Sequence, residues 1–160
     1  GTMQLNLQPE MIEDIFREAI HHLGRNKRKH NISMHLEDDL LMANMDARLI
    51  IQVLVNLINN AIKYTPENSN ISLNARRVEN KILIEVQDDG NGVLHPDQLF
   101  EMFYTENNRG GDTRRGMGLG LSLCKSIIQS HGGTIWVENV TPHGACFKFV
   151  LDAVEVKLYE

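Results

Sequence analysis

The chain is predicted to fold as a two-layer α/β (α+β) sandwich, a mixed and mostly antiparallel sheet covered on one face by about three helices. Three observations carry this. Apolar residues recur at helical spacing in a few stretches, and they alternate at strand spacing in several others. Two pairs of those strands lie close enough to form hairpins, so the regular βαβ order of a doubly wound parallel sheet is missing.

Leu5 and Leu7 alternate with polar neighbours as a short strand, and Pro9 then opens a helical pattern with Met11, Ile12, Ile15, Ala19 and Leu23 on one side. This helix runs out in the basic stretch Gly24-Arg25-Asn26-Lys27-Arg28-Lys29-His30, where cations suit the helix dipole. Ile32, Met34 and Leu36 alternate as a strand. Asp46 stands at the N-cap position of a long apolar-rich helix over 49–62. Strands over 71–78 and 81–86 form a hairpin about the Glu79-Asn80 turn. A short helix is expected over 96–103, followed by a polar, glycine-bearing segment, 104–117, with almost nothing to bury and the character of a mobile loop. A helix over 119–131 and strands over 134–139 and 145–151 complete the pattern.

Such a chain, of 160 residues, suffices for a single core. Residues 4–153 are read as one domain, 154–160 as a tail, and Gly1-Thr2-Met3 as a tag-cleavage remnant, which makes a fragment of a longer protein the expectation. With 16 basic against 21 acidic side chains and a net charge of −5, nothing favours nucleic acid or an anionic membrane as partner. No segment approaches the roughly 20 apolar residues a spanning helix requires. Cys124 and Cys146 have no second cysteine or histidine at metal-ligand spacing and read as reduced core thiols.

Three patterns suggest chemistry. On the long helix, Gln52, Asn56, Asn60 and Lys63 fall within one narrow angular sector, opposite the apolar stripe of Ile50, Leu54, Leu57, Ile58 and Ala61. An Asn oxygen is an acceptable ligand for a hard divalent cation and a Lys one turn on suits phosphate, although a wet helix face has the same appearance. Asp88-Asp89-Gly90-Asn91-Gly92 closes an apolar strand; Asp88 suits an amino-group donor such as the adenine amine, and an ordinary Asp-Gly turn also fits. Gly116-Met117-Gly118-Leu119-Gly120 feeds directly into a helix, whose unpaired N–H groups and partial positive charge suit a polyphosphate. No Gly-Lys-Ser/Thr follows and no strand feeds it, which excludes a Walker loop and a dinucleotide fingerprint.

Together these patterns resemble the boxes of bacterial sensor histidine kinases: Asn56-Leu57-Ile58-Asn59-Asn60-Ala61-Ile62-Lys63-Tyr64-Thr65-Pro66 the N box, residues 88–92 the G1 box, Phe100-Glu101-Met102-Phe103-Tyr104 the F box, and residues 116–120 the G2 box. The resemblance covers about 5–151 and implies the GHKL-type (Bergerat) ATP-binding fold shared with gyrase, the HSP90 chaperones and MutL. It implies that Asn60 ligates Mg2+, that Asn56 supports phosphate or metal, that Lys63 contacts the phosphates and that Tyr64 flanks adenine. By the same resemblance Asp88 holds the adenine amine, Gly90 and Gly92 shape its pocket, and Gly116, Gly118, Leu119 and Gly120 cradle phosphates. Residues 104–117 would close as a lid, with Arg109, Arg114 and Arg115 as candidates for the γ-phosphate. The segments Gly132-Gly133-Thr134-Ile135-Trp136 and Pro142-His143-Gly144-Ala145-Cys146-Phe147 further resemble potassium-sensing Kdp-type kinases.

Hydrolysing members of this fold place a Glu four residues before the metal-binding Asn; here that position is Asn56, a neutral amide that cannot act as a base. Transfer to a nucleophilic histidine is therefore expected over hydrolysis, with Asn56 and Lys63 as the catalytic candidates and ATP and Mg2+ as cofactors. None of the seven histidines sits in a pattern like His-Glu-Leu-Arg-Thr-Pro, and His21, His22 and His131 read as structural or merely exposed. The resemblance thus implies a phosphoacceptor helical domain elsewhere in a homodimeric parent, a response regulator downstream, and a cytoplasmic position for this piece of an inner-membrane sensor. An ATPase driving dimerisation and a degenerate nucleotide-binding scaffold are the alternatives.

Overall fold

An amphipathic helix must cover its apolar stripe, and here the helices do so on one face of a sheet. The computed structural model describes residues 4–101, 106–107, 113–114 and 119–154. In chain order these form β1 (Gln8–Met11), α1 (Ile12–His22), a 3-10 turn (Gly24–Lys29), β2 (Asn31–Leu36), β3 (Met42–Met45) and α2 (Ala47–Lys63). There follow β4 (Asn70–Val78), β5 (Lys81–Asp88), a second 3-10 turn (Pro96–Gln98), β6 (Glu106–Asn107), β7 (Thr113–Arg114), α3 (Leu119–Ser130), β8 (Ile135–Asn139) and β9 (Ala145–Asp152).

The main sheet has the order β2-β4-β5-β9-β8, with β2 and β4 parallel and every other neighbour antiparallel. This is the expected mixed, mostly antiparallel sheet. Strand alternation sends Ile71, Leu73, Ile82, Ile84, Val86, Phe147, Phe149 and Leu151 into the core, where each is at most 1% exposed. They meet Ile50, Leu54, Leu57, Ile58 and Ala61 of α2, the predicted apolar stripe, also at most 1% exposed. α2 packs between α1 and α3. The backbone N–H of Asp46, ahead of α2, donates to Nε2 of His131 at 3.0 Å, and Nδ1 of the same ring donates to the Ile127 carbonyl at 2.8 Å. That pair of bonds fixes the Nδ1–H tautomer and ties the start of α2 to the end of α3. His131 is structural, as its sequence context suggested.

Three expectations are corrected, the first being the strand read at Leu5 and Leu7, which lie in irregular chain ahead of β1. Pro9 does not open a helix; it is the second residue of β1, paired with Asn44, and α1 begins at Ile12. β1 has β3 as its one neighbour, so the donor that proline lacks can point away from the pair. β3 itself is not foreseen, because four residues are too few for alternation to register. Asp46 sits at the N-cap with extended backbone, as expected, though its side chain makes no capping bond; its carboxylate, in a residue 5% exposed, accepts from the Asn6 N–H at 3.2 Å. The helix expected over 96–103 is the 3-10 turn Pro96–Gln98, followed by buried Leu99 and Phe100. Within 104–117 the described residues form only the antiparallel pair β6–β7. Among the described residues no helix is long and apolar enough to cross a membrane.

Both cysteines are free and buried. Burial pushes the Cys124 thiol up to about 12, with a hydrogen bond from Asn56 acting the other way. Cys146, bonded to Glu85 at 3.4 Å, is pushed up to about 12 by burial and then by that carboxylate. At pH 8 the raised value leaves on the order of one thiol in ten thousand ionised. Neither should react with a thiol reagent in the native state at that pH, and both should react once the chain is unfolded in guanidinium. Phe147, fully buried and edge-on to Phe100 at 5.9 Å between centroids, is a core anchor. Phe147→Ala should cost about 3–5 kcal/mol in a urea titration.

Candidate functional site

The polar stripe of α2 lies where the sequence puts it. Gln52 and Lys63 are exposed, while Asn56 and Asn60 are half-buried along the same side. Two junctions flank this stripe, about 12 Å apart by the helical rise. At the first, α3 begins beside Asn56: a Cβ built on Gly120 would lie 3.9 Å from Asn56 Oδ1, an ordinary contact distance. Cys124, one turn further along α3, receives the Asn56 hydrogen bond. Leu119 is the first residue of α3, so the helix start, with its unpaired N–H groups, lies beside Asn56.

At the second junction the end of α2 meets the loop after β5. Tyr64, 8% exposed, ends the helix with its N–H on the Asn60 carbonyl at 3.2 Å, and the Lys63 ammonium lies 5.4 Å from its ring centroid. Thr65 Oγ1 donates back to the Ala61 carbonyl at 2.7 Å and, having used its hydrogen, accepts from His30 Nε2 at 2.8 Å. Thr65 in turn faces Gly90: a Cβ there would be 2.7 Å from Thr65 Cγ2, so only glycine permits this approach.

Asp88 ends β5 at 2% exposure. Its Oδ1 accepts from the Gly90 N–H at 2.9 Å and from the Ala145 N–H at 3.2 Å, which stabilises the carboxylate in one orientation. Asp89 faces the other way and is clamped by Asn70, whose backbone and side-chain nitrogens lie 3.1 and 3.0 Å from its two oxygens. Gly92 adopts φ +83.

Asn56, Asn60 and Lys63 thus share one side of α2, Leu119 and Gly120 open α3 beside Asn56, and Tyr64 and Thr65 meet Gly90 of the loop that also carries Asp88 and Gly92. Gly116, Gly118, Tyr104, Arg109 and Arg115 lie outside the described residues. The backbone of Arg114 is in β7, paired with Glu106. Among the described residues no group of three or more His, Cys, Asp or Glu side chains could hold a metal. His30, Thr65, Asn139 and Ala145 were missed in the sequence. Their contacts with the site join distant segments, and no local spacing signals them.

Residues 45–155 match the family described as histidine kinase-, DNA gyrase B-, and HSP90-like ATPase. The chain is 34% identical over 151 residues to the sensor protein KdpD of Clostridium acetobutylicum, across 93% of this chain and 17% of the relative. It is 35% identical over 156 residues to the adaptive-response sensory kinase SasA of Gloeothece citriformis, across 94% of this chain and 39% of that one. The chain thus spans well under half the length of the curated relatives it matches. Among solved structures, the catalytic domain of histidine kinase ThkA superposes with a TM-score of 0.78 at 27% identity, covering 92% of this chain and 96% of that one. A longer ThkA structure, in complex with response regulator protein TrrA, gives 0.78 at 26% identity over 94% of this chain and 42% of that one. The expected fold and the expected kinship agree with these matches, and the chain belongs to the histidine kinase-, DNA gyrase B- and HSP90-like ATPase family.

Proposed function

We propose that this chain binds Mg-ATP along α2 and donates the γ-phosphate to a histidine on a separate phosphoacceptor domain in two-component signalling. The observation that carries the reading is the pairing of two junctions on one helix: a buried, oriented carboxylate at one end and a helix start beside an amide at the other. Asp88 takes the exocyclic amine of adenine, with Tyr64 flanking the ring and Gly90 and Gly92 shaping the loop around it. Asn60 holds Mg2+, Asn56 supports the phosphates or the metal, and Lys63 neutralises phosphate charge. Leu119 and Gly120 present the start of α3, and Gly116 and Gly118 precede it. When bound, Mg2+ neutralises charge between the phosphates. Asn56 carries no proton-accepting group at neutral pH, which suits transfer to an acceptor that is already nucleophilic.

The kinase names of the relatives support a parent sensor with its own phosphoacceptor domain and a response regulator as downstream partner. The KdpD match supports a potassium-sensing parent anchored at the inner membrane, while a match of similar identity is to an adaptive-response sensory kinase, SasA.

Calorimetric titration with ADP or a non-hydrolysable ATP analogue should show binding that strengthens with Mg2+. Asn60→Ala should remove most of the metal's contribution, and equal metal dependence in both proteins would overturn its assignment. Asp88→Asn keeps an oxygen for the Gly90 and Ala145 N–H groups but replaces the charged acceptor. It should reduce ATP-over-GTP preference roughly tenfold or more, the worth of a hydrogen bond to a charged group. With a phosphoacceptor domain added, labelled phosphate should appear on its histidine; steady phosphate release without transfer would identify an ATPase instead.

A further inference from the structure

The loop that follows β5 carries the adenine contacts proposed above, yet it contains two glycines and no regular structure from 89 to 95. Glycines leave a chain free to sample many conformations, so this loop needs an external definition. The turn between β8 and β9 supplies it. Asn139, the last residue of β8, closes both bonds on one residue of the loop: its Oδ1 accepts from the Val93 N–H at 2.8 Å, and its Nδ2 donates to the Val93 carbonyl at 3.0 Å. Across the turn, Ala145 pairs with Asn139 and directs its own N–H to Asp88 Oδ1. His143 donates from Nδ1 to the Asp89 carbonyl at 2.8 Å. The loop is therefore held at Asp88, Asp89 and Val93 by one seven-residue segment, 139–145.

Asn139 is the member of this set whose side chain does the most. A primary amide offers an acceptor and a donor side by side, which is what a single residue's N–H and C=O require. The fit is tight: Gly92, at φ +83, passes so near that a Cβ on it would lie 2.6 Å from Asn139 Oδ1. Val93 is 6% exposed, so leaving its backbone groups without Asn139 would strand polar atoms away from water. The loop would then relax, and the aim of Asp88 with it.

We infer that Asn139 is a positioning residue for base recognition: it touches no nucleotide and holds the 88–93 loop so that the Asp88 carboxylate meets an exocyclic amine. This rests on the adenine reading given above. The test compares ADP with inosine diphosphate, which lacks that amine, in calorimetric titrations of wild type, Asn139→Ala, Asn139→Asp and Asn139→Ser, with thermal melting recorded for each. Asn139→Ala should weaken ADP roughly fivefold or more, the loss expected for about one to two hydrogen bonds. Inosine diphosphate should change little, so the ratio between the two falls towards that of Asp88→Asn. Asn139→Asp sets a carboxylate oxygen against the Val93 carbonyl and should fall at least as far; Asn139→Ser, whose shorter side chain offers Val93 at most one of the two bonds, should fall no further than Asn139→Ala and remains informative where the others melt early. Equal weakening of both nucleotides would mean that Asn139 only supports folding and would overturn the inference. So would an unchanged ADP affinity in folded variants of a wild type that binds ADP. A wild type that binds neither nucleotide would overturn the adenine reading itself.

Discussion

The constraint on which this structure depends is the two-sidedness of α2. One stripe of the helix is pressed into the sheet, with Ile50, Leu54, Leu57 and Ile58 all fully buried, and each such side chain contributes roughly 1.5–3 kcal/mol by leaving water. Rotating the helix to hide its amides would expose that stripe, so the amide side has no choice but to face outward. Asn56, Asn60 and Lys63 are thus fixed in direction by residues that never touch a ligand. The flanking helices complete the arrangement: α1 and α3 pack against the two sides of α2, and the His131 bridge sets how α3 lies along it.

Because that constraint is local and periodic, it was legible in the sequence. The same holds for β2, for the β4–β5 hairpin and for the β8–β9 pair, whose alternating residues point inward as read. Reading failed where the determinant was not periodic. Pro9 matched a helix start by type, but an edge ribbon accepts proline equally well, and the deciding fact was the presence of β3 some thirty-five residues later. The site divides in the same way. Asn56, Asn60, Lys63 and Asp88 stand in recognisable short motifs, whereas Asn139 and His30 act across 46 and 35 positions of chain, a separation no motif spans.

The two ends of the site are built differently. At the Asp88 end, backbone donors from two segments, a clamp from Asn70 and the Asn139 amide converge on six residues. Hydrogen bonds of this kind are individually worth only about 1 kcal/mol net, yet together they remove the freedom that two glycines would otherwise give the loop. Selectivity between bases needs that rigidity, since a carboxylate distinguishes an amine from a carbonyl only when it is held at hydrogen-bonding distance and direction.

At the Asn56 end the structure has another character, set by neutrality. Among the described residues, Gly120, with no side chain, and Cys124, whose thiol burial keeps protonated, lie against the Asn56 amide. Neither can take a proton from water, and neither adds negative charge where phosphates would lie. A carboxylate in the place of Asn56 would do both: it would repel a polyphosphate and activate water against it. With Mg-ATP bound as proposed above, an amide at that point beside a helix start would favour keeping the terminal phosphoryl group intact until an acceptor arrives. That is the behaviour a donor domain needs when its acceptor lies on a different domain.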